Sequence, residues 1–169
     1  MYRILLVDDD QNIVDGLGSI IKQNFENIFV ISSACDGSDA LNRLTEDYYH
    51  VIISDIRMPK LDGISLLELI SKNQIPSVVI MLSGYDDYTY IRNALRLGAY
   101  DYLLKPVESE LFFQSLDKAY RSFSQIMQKT VAIKTTDSIR MIPITDIRYA
   151  ERIDKHIDYH LADNTVIHS

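Results

Sequence analysis

Short apolar runs and amphipathic segments alternate five times along the first 125 residues, and this alternation limits the fold more than any other feature of the chain. The apolar runs predict strands at Ile4–Val7, Ile28–Ala34, Val51–Ser54, Ser77–Leu82 and Tyr100–Leu104. Apolar residues at helical spacing follow each run, and the last predicted helix extends over Glu108–Met127. A repeated strand–helix order builds a parallel sheet with helices on both faces, joined by right-handed crossovers. Residues 1–125 are therefore predicted to form one α/β, doubly wound domain.

Beyond residue 125 the pattern changes to short β-like runs separated by turn residues. The predicted strands are Thr130–Thr135, Ser138–Pro143, Ile147–Ala150, His156–Leu161 and Thr165–His168, with turns at Thr136-Asp137 and Asp163-Asn164. About 40 residues are few for an independent hydrophobic core, and the segment ends on a strand-like run. We therefore expect residues 126–169 to be an all-β segment that is only part of a larger domain.

The formal net charge of −7 lies entirely in the first part of the chain. Residues 1–128 carry 11 basic and 18 acidic side chains, whereas residues 129–169 carry six of each and three of the four histidines. The acidic part is therefore a poor candidate for direct contact with DNA. Cys35 is the only cysteine, which excludes an intrachain disulfide and a cysteine-based zinc site within one chain.

Neither a secretory signal nor a membrane span is predicted. The N-terminus enters an apolar run at once and is too short for a signal, and no run of about 18 apolar residues exists in the sequence. These features predict a cytoplasmic protein with no membrane partner.

Polar side chains follow four of the five predicted strands at the point where each strand ends. Asp8 and Asp9 follow the first strand, Asp55 the third, Ser83 the fourth and Lys105 the fifth. Each residue alone could serve as a turn, a helix cap or a solvated surface group. However, the carboxyl ends of parallel strands meet at one edge of a sheet, so we expect these five side chains to share one site.

Carboxylates that lie close together repel one another, and a divalent cation and a lysine would relieve that repulsion. Oxygen ligands without a nearby cysteine or histidine favour Mg²⁺, with Mn²⁺ as the alternative. Beside such a cation, Asp55 is a candidate nucleophile that forms an aspartyl phosphate. The cation and Lys105 would neutralise the transferring phosphoryl oxygens, and Ser83 could donate a hydrogen bond to one of them.

Four segments together resemble the receiver domain of bacterial two-component response regulators. They are Leu6–Asp10, Ser54–Pro59 with Asp62-Gly63, Leu82–Tyr85 and Gly98–Pro106. The resemblance covers residues 2 to about 121, and its motifs are highly specific in combination. It implies a flavodoxin-like (βα)5 fold with the strand order 2-1-3-4-5.

The resemblance also implies roles for individual residues. Asp55 would accept a phosphoryl group from a sensor histidine kinase, and Lys105 would contact that group. Asp9, Asp55 and the backbone carbonyl of Arg57 would bind Mg²⁺ directly, and Asp8 would help through a water molecule. The bond between Lys105 and Pro106 would be cis.

Ser83 and Tyr102 would act as a switch pair. On phosphorylation Ser83 would move toward the phosphoryl oxygens while the aromatic ring turns inward. The surface formed by the fourth helix, fifth strand and fifth helix would respond, and homodimerisation would occur there. This region is rich in tyrosines, namely Tyr85, Tyr88, Tyr90 and Tyr102.

The C-terminal segment resembles the opening of a LytTR-type DNA-binding domain. The resemblance rests on Ile133-Lys134, Ile142–Glu151 and His156–Asn164. That domain is all-β and roughly twice as long as the segment present here. The resemblance implies that the loop before the His156 strand approaches DNA, with Arg152, Lys155 and His156 as candidate contacts. DNA would be bound only through a complete C-terminal domain.

These features favour a phosphorylation-controlled switch with a transcriptional output. It would not be an enzyme beyond Mg²⁺-dependent autophosphorylation and autodephosphorylation at Asp55. The alternative is a haloacid-dehalogenase-like aspartyl phosphatase. That class normally has a second aspartate two residues after its nucleophile, where this chain has Arg57, and its acidic pair comes late in the chain. A flavin-binding module of the same fold is disfavoured because three aspartates after the first strand would repel a flavin phosphate.

Overall fold

A computed structural model describes residues 2–84, 88–127, 130–136 and 138–169, with the side chains of residues 88, 89 and 124–127 left out of the description. The chain divides into two compact units, Met1–Tyr120 and Arg121–Ser169. Each unit has its own cluster of buried apolar side chains. Within the described residues, no helix has the length and apolar character needed to cross a membrane.

The first unit is built on a five-stranded parallel sheet with the order β2-β1-β3-β4-β5, as predicted. Its strands are β1 (Tyr2–Val7), β2 (Phe29–Ala34), β3 (Val51–Asp55), β4 (Val78–Ser83) and β5 (Asp101–Leu104). The helices are α1 (Gln11–Asn24), α2 (Gly37–Glu46), α3 (Gly63–Lys72), α4 (Tyr88–Arg96) and α5 (Ser109–Met127), and α5 runs on into the second unit.

Local features of the sequence determine where these strands and helices begin and end. All five residues of β3 are buried, which agrees with its run of three apolar β-branched residues followed by Ser54 and Asp55. Asp10, Asp36 and Asp62 each precede a helix and accept a hydrogen bond from a backbone N–H of its first turn. After α4, Gly98 has a φ of +92°, a backbone conformation that glycine adopts without a steric cost.

Some strand ends differ by one residue from the predicted ones, because hydrogen bonds with neighbouring segments determine where each strand begins and ends. Asp55 is the last residue of β3, since it pairs with Leu82 of β4. Ser77 lies outside β4, and its N–H donates to the carbonyl of Ile75 in a tight turn. The carboxylate of Asp55 therefore projects from the end of a fully buried strand.

Beyond α5, the described residues of the second unit form β-strands joined by turns, as predicted. β6 (Thr130–Lys134) and β7 (Ile139–Pro143) form an antiparallel hairpin, and a 3₁₀ turn (Ile144–Asp146) follows. β8 (Ile147–Ile153), β9 (His156–Leu161) and β10 (Val166–His168) form an antiparallel sheet in the order β10-β9-β8. Buried Ile133, Ile142, Leu161 and Ile167 form its small core. Asp137, which we predicted in the first turn, lies outside the described residues.

The predicted end of β8 was wrong. The strand continues to Ile153 rather than ending at Ala150, because its ladder with β9 extends to the pair Ile153 and His156. Only Asp154 and Lys155 remain in the turn, and Asp154 has a φ of +53°, as short hairpin turns require. Arg152, expected in a loop, is therefore a strand residue.

Candidate functional site

Two buried carboxylates lie side by side at the carboxyl edge of the parallel sheet. Val7 of β1 is in register with Ser54 of β3, so the next residues along the chain, Asp8 and Asp55, lie at the same level. The Asp8 N–H donates to the carbonyl of Ala34 at 3.1 Å, which continues the pairing of β1 with β2. Asp8 is 4% and Asp55 is 7% exposed. Such desolvated neighbours of equal charge require a cation.

Asp9 completes a group of three carboxylates. Asp8, Asp9 and Asp55 each offer one oxygen atom, and these atoms all lie within 4.8 Å of one another. Asp9 is exposed and the other two are buried, so the group opens to solvent on one side. A set of carboxylate oxygens with an open side fits Mg²⁺, which usually keeps several of its water ligands. The three predicted carboxylates are thus brought together.

Lys105 supplies a cation to the buried pair. Its Nζ donates a hydrogen bond to Asp8 Oδ2 at 2.7 Å and lies 3.1 Å from Asp55 Oδ1. Its backbone N–H donates to the carbonyl of Ser83 at 2.6 Å, which fixes the end of β5 beside β4. The peptide bond between Lys105 and Pro106 is cis, as expected. The predicted lysine therefore lies between the two buried carboxylates.

Burial and charge act in opposite directions on the protonation of these groups. Burial raises the pKa of Asp55, and the lowering effect of Lys105 does not fully compensate. Burial alone would lower the pKa of Lys105, but the carboxylates of Asp8 and Asp55 outweigh it and leave that pKa raised. Lys105 therefore stays protonated at neutral pH, whereas a further positive charge nearby would stabilise the ionised carboxylate of Asp55.

We expect Asp55→Asn to raise the midpoint of thermal unfolding in metal-free buffer at neutral pH. The folded-state pKa of Asp55 lies above its ordinary value of 3.8. The contribution of this group to the free energy of unfolding is therefore fully present below pH 3.8 and is lost as the pH rises through the folded-state pKa. The amide carries no charge and avoids this loss. Circular dichroism melts from acid to neutral pH would measure the difference, which should shrink toward acid pH.

Added Mg²⁺ should reverse the order of the two proteins. The wild type would gain the free energy of ion binding, whereas the variant has lost one ligand. Two results would contradict this arrangement of Asp55 and its neighbours. One is an Asp55→Asn midpoint below that of the wild type in chelator, and the other is a rise of the midpoint on adding Mg²⁺ that is as large in the variant as in the wild type.

Ser83 and Tyr102 lie on the same face of the sheet. Met81 is in register with Tyr102, and Ser83 follows Met81 by two residues along β4. Ser83 is 2% exposed at the end of its strand, and the half-buried Tyr102 ring packs against the core of the first unit. The predicted switch pair therefore shares one face of the sheet, and Ser83 directly follows Leu82, the residue that is in register with Asp55.

Other predicted site residues fall at the edge of the site or outside the described residues. Arg57 follows Asp55 by two residues, and its guanidinium carbon lies 5.7 Å from the centre of the Tyr90 ring, within the range of a cation–π contact. The role of its backbone carbonyl as a metal ligand stays a prediction. Tyr85 and the side chain of Tyr88 lie outside the described residues.

In the second unit the candidate DNA contacts occupy a hairpin rather than a loop. The Nε of Arg152 donates to the carbonyl of Asp154, and exposed Lys155 lies in the turn. His156 begins β9, with its Nε2 3.5 Å from Asp158 Oδ1. Contact of these three residues with DNA remains a prediction.

Sequence reasoning missed a second group of ligand-bearing side chains, formed by His156, Asp158 and His168. The spacing of His156 and Asp158 by two residues in a predicted strand would have placed them on one face. The place of His168 beside them depends on the pairing of β10 with β9, which no local signal in the sequence gives.

Comparison with known proteins gives a consistent result for the first unit. A family model described as the response regulator receiver domain matches residues 4–117. The uncharacterized transcriptional regulatory protein YesN of Bacillus subtilis (strain 168) is 33% identical over 118 residues, which are 70% of this chain and 32% of that protein. Transcriptional regulatory protein HptR of Staphylococcus aureus (strain NCTC 8325 / PS 47) is 36% identical over 108 residues, 64% of this chain and 42% of that protein. The chain spans less than half the length of these relatives.

Solved structures agree with the sequence matches. The receiver domain of the Francisella response regulator 1452 is 35% identical, with a TM-score of 0.61, and the alignment covers 72% of this chain and 99% of that domain. A CheY-like receiver domain protein from Methanospirillum hungatei JF-1 is 26% identical, with a TM-score of 0.68, and the alignment covers 74% of this chain and 98% of that protein chain. These matches support the response regulator interpretation and do not support the aspartyl phosphatase alternative.

Proposed function

The chain belongs to the response regulator receiver family, and from this premise we propose that Asp55 accepts a phosphoryl group from a sensor histidine kinase. The P–N bond of the kinase phosphohistidine breaks as a P–O bond forms to a carboxylate oxygen of Asp55. Hydrolysis of the resulting aspartyl phosphate returns the carboxylate and inorganic phosphate. We propose no chemistry for this chain beyond this autophosphorylation and autodephosphorylation.

The observation that carries the proposal is the position of Lys105, whose Nζ lies 2.7 Å from Asp8 and 3.1 Å from Asp55. An ammonium group there faces the oxygens of a phosphoryl group on Asp55 and stabilises the charge on them. The side chains of Asp8, Asp9 and Asp55, with the carbonyl of Arg57, would hold Mg²⁺, or Mn²⁺ in its place. When bound, the ion neutralises phosphoryl charge and orients the group for transfer.

Ser83 and Tyr102 would report the state of Asp55. Ser83 is buried at the end of β4, beside β3, and its hydroxyl would donate to a phosphoryl oxygen on Asp55. The half-buried ring of Tyr102, on the same face, can then turn inward. The surface of α4, β5 and α5 would thereby favour a homodimer when Asp55 is phosphorylated.

The output would be control of transcription. Residues 1–125 would form the receiver domain, and residues 126–169 would begin a LytTR-type domain that binds DNA only when complete. Arg152, Lys155 and His156 are its candidate contacts. Two relatives carry the description transcriptional regulatory protein, which supports this kind of output, and a cytoplasmic location would follow from it.

The test is to incubate the 169-residue protein with acetyl phosphate and Mg²⁺ and to measure its intact mass. We expect the wild type to gain the mass of one phosphoryl group and to lose this gain when the metal is chelated. Asp55→Asn should show no gain, whereas Asp62→Asn should gain it fully. Asp62 is a suitable control because it caps α3, and asparagine caps a helix as well as aspartate does. A phosphoryl gain in Asp55→Asn would show that the acceptor is a different residue.

A further inference from the structure

One face of the three-stranded sheet in the second unit carries a concentration of histidine and carboxylate side chains. On β9, His156, Asp158 and His160 alternate and so project to the same side. Asp158 pairs directly with Glu151 of β8 and with His168 of β10. These five residues, His156, Asp158, His160, Glu151 and His168, form what we name the histidine face. The opposite side of the sheet carries Leu161 and Ile167, which belong to the small apolar core.

Two imidazoles converge on a single oxygen atom at one end of the histidine face. His168 Nδ1 lies 2.7 Å from Asp158 Oδ1, and His156 Nε2 lies 3.5 Å from the same atom. The three ligand atoms lie within 4.8 Å of one another. In a tetrahedral site with metal–ligand distances near 2.0–2.1 Å, neighbouring ligand atoms are about 3.3 Å apart. His168 and Asp158 are hydrogen-bonded to each other, and the three atoms are grouped closely enough for one ion to bind them all.

Burial and access also fit an ion site. Asp158, in the central strand, is 7% exposed, whereas the side chains of His156 and His168 are 46% and 69% exposed. The carboxylate is therefore anchored in the sheet while the two imidazoles remain open to solvent. An ion could enter from that side, and at least one of its coordination positions would stay available to water.

We propose that His156, Asp158 and His168 bind a divalent first-row transition metal ion such as Zn²⁺. Two imidazole nitrogens and one carboxylate oxygen form a ligand set that prefers such ions to Mg²⁺. The site differs in this respect from the all-oxygen group around Asp55. The bound ion bridges β9 and β10 and so stabilises the pairing of the last strand. It also gives His156 a role as a metal ligand, which competes with its role as a DNA contact.

The site can be tested by titrating the 169-residue protein with Zn²⁺ in a calorimeter, in a buffer that contains saturating Mg²⁺ to occupy the group around Asp55. We expect one Zn²⁺ ion per chain and a rise in the midpoint of thermal unfolding. Asp158→Asn and His168→Gln should weaken Zn²⁺ binding by at least about tenfold, since even the loss of an outer-shell partner has that effect. Co²⁺ in place of Zn²⁺ should give a visible absorption band that both variants lose.

The chain offers two controls. His160→Gln removes a histidine of the same face whose Nε2 lies 2.8 Å from Glu151 and whose ring stacks on Tyr149, outside the metal group. Asp55→Asn removes a ligand of the other carboxylate group. Both should bind Zn²⁺ as the wild type does.

Equal weakening in His160→Gln and His168→Gln would overturn the proposal, as would Zn²⁺ binding that depends on Asp55 or is absent from the wild type. Circular dichroism of the metal-free variants checks their fold. If His168→Gln unfolds, His156→Gln serves instead, because that side chain is half exposed at the first position of β9. Unchanged Zn²⁺ affinity in a folded His156→Gln would equally refute the site.

Discussion

Replacing Gly63 with alanine is expected to lower the free energy of unfolding by about 2–4 kcal/mol, because the new methyl group has no room. A Cβ atom at this position would lie 2.0 Å from the carbonyl oxygen of Asp55 and 3.0 Å from its carbonyl carbon. Backbone atoms cannot rotate away as a flexible side chain can. Either the end of β3 or the start of α3 must therefore move.

The position of Gly63 links this loss of stability to the acceptor site. Its N–H donates to the carbonyl of Ile56 at 2.8 Å, so the loop after β3 returns to the strand it has just left. This contact sets the direction of the chain at Asp55. We therefore expect Gly63→Ala to slow the phosphorylation of Asp55 by acetyl phosphate under conditions where the variant is still folded.

Gly16→Ala is the matched control. Gly16 lies inside α1 with nothing within 4 Å of an added Cβ, so alanine should raise the free energy of unfolding by about 0.5–1 kcal/mol through better helix propensity. Chemical denaturation followed by circular dichroism would measure both changes. A Gly63→Ala protein as stable as the wild type would show that the loop after Asp55 can shift without cost.

The sequence predicts the elements of the first unit well because its signals are local. The buried run of β3, the aspartates that cap helices and the glycine after α4 each act within a few residues of their own position. The order of the strands is different, since no local pattern states which strands are neighbours. That order came from the resemblance to a family, and the pairing of β1 with both β2 and β3 confirms it.

The remaining features depend on contacts between distant parts of the chain. The hydrogen bond from Lys105 to Asp8 joins residues 97 positions apart. The position of a lysine after a strand does not by itself identify the carboxylate that it contacts. Likewise, the Nζ of Lys60 contacts the buried carboxylate of Asp36 at 2.6 Å, across 24 positions of the chain. The length of β8 was mispredicted for the same reason, because the ladder with β9 rather than the composition of β8 fixes its end.

Lys105→Met is expected to slow the phosphorylation of Asp55 by acetyl phosphate by about 10²–10³-fold, the usual effect of removing one group that stabilises transition-state charge. Methionine has a similar length but no charge, so the change removes the ammonium group between Asp8 and Asp55. The rate of mass gain under saturating Mg²⁺ would measure the effect. Lys105→Arg keeps the charge but has a planar fork of donors, and we expect it to restore only part of the rate.

The pH dependence separates an electrostatic role of Lys105 from a merely structural one. Lys105 lowers the pKa of Asp55 against the raising effect of burial, so without it that pKa rises further. Because the acceptor must be a carboxylate, the rate of Lys105→Met should reach its plateau at a higher pH than the wild-type rate does. Lys60→Met is the matched control: this lysine also contacts a buried aspartate, but its side chain is 68% exposed and its partner is Asp36. If folded Lys105→Met kept the wild-type rate and pH profile, Lys105 would have no role in the transfer. If Lys105→Met and Lys60→Met lost the same fraction of the phosphorylation rate, the effect would come from the loss of a positive charge in general.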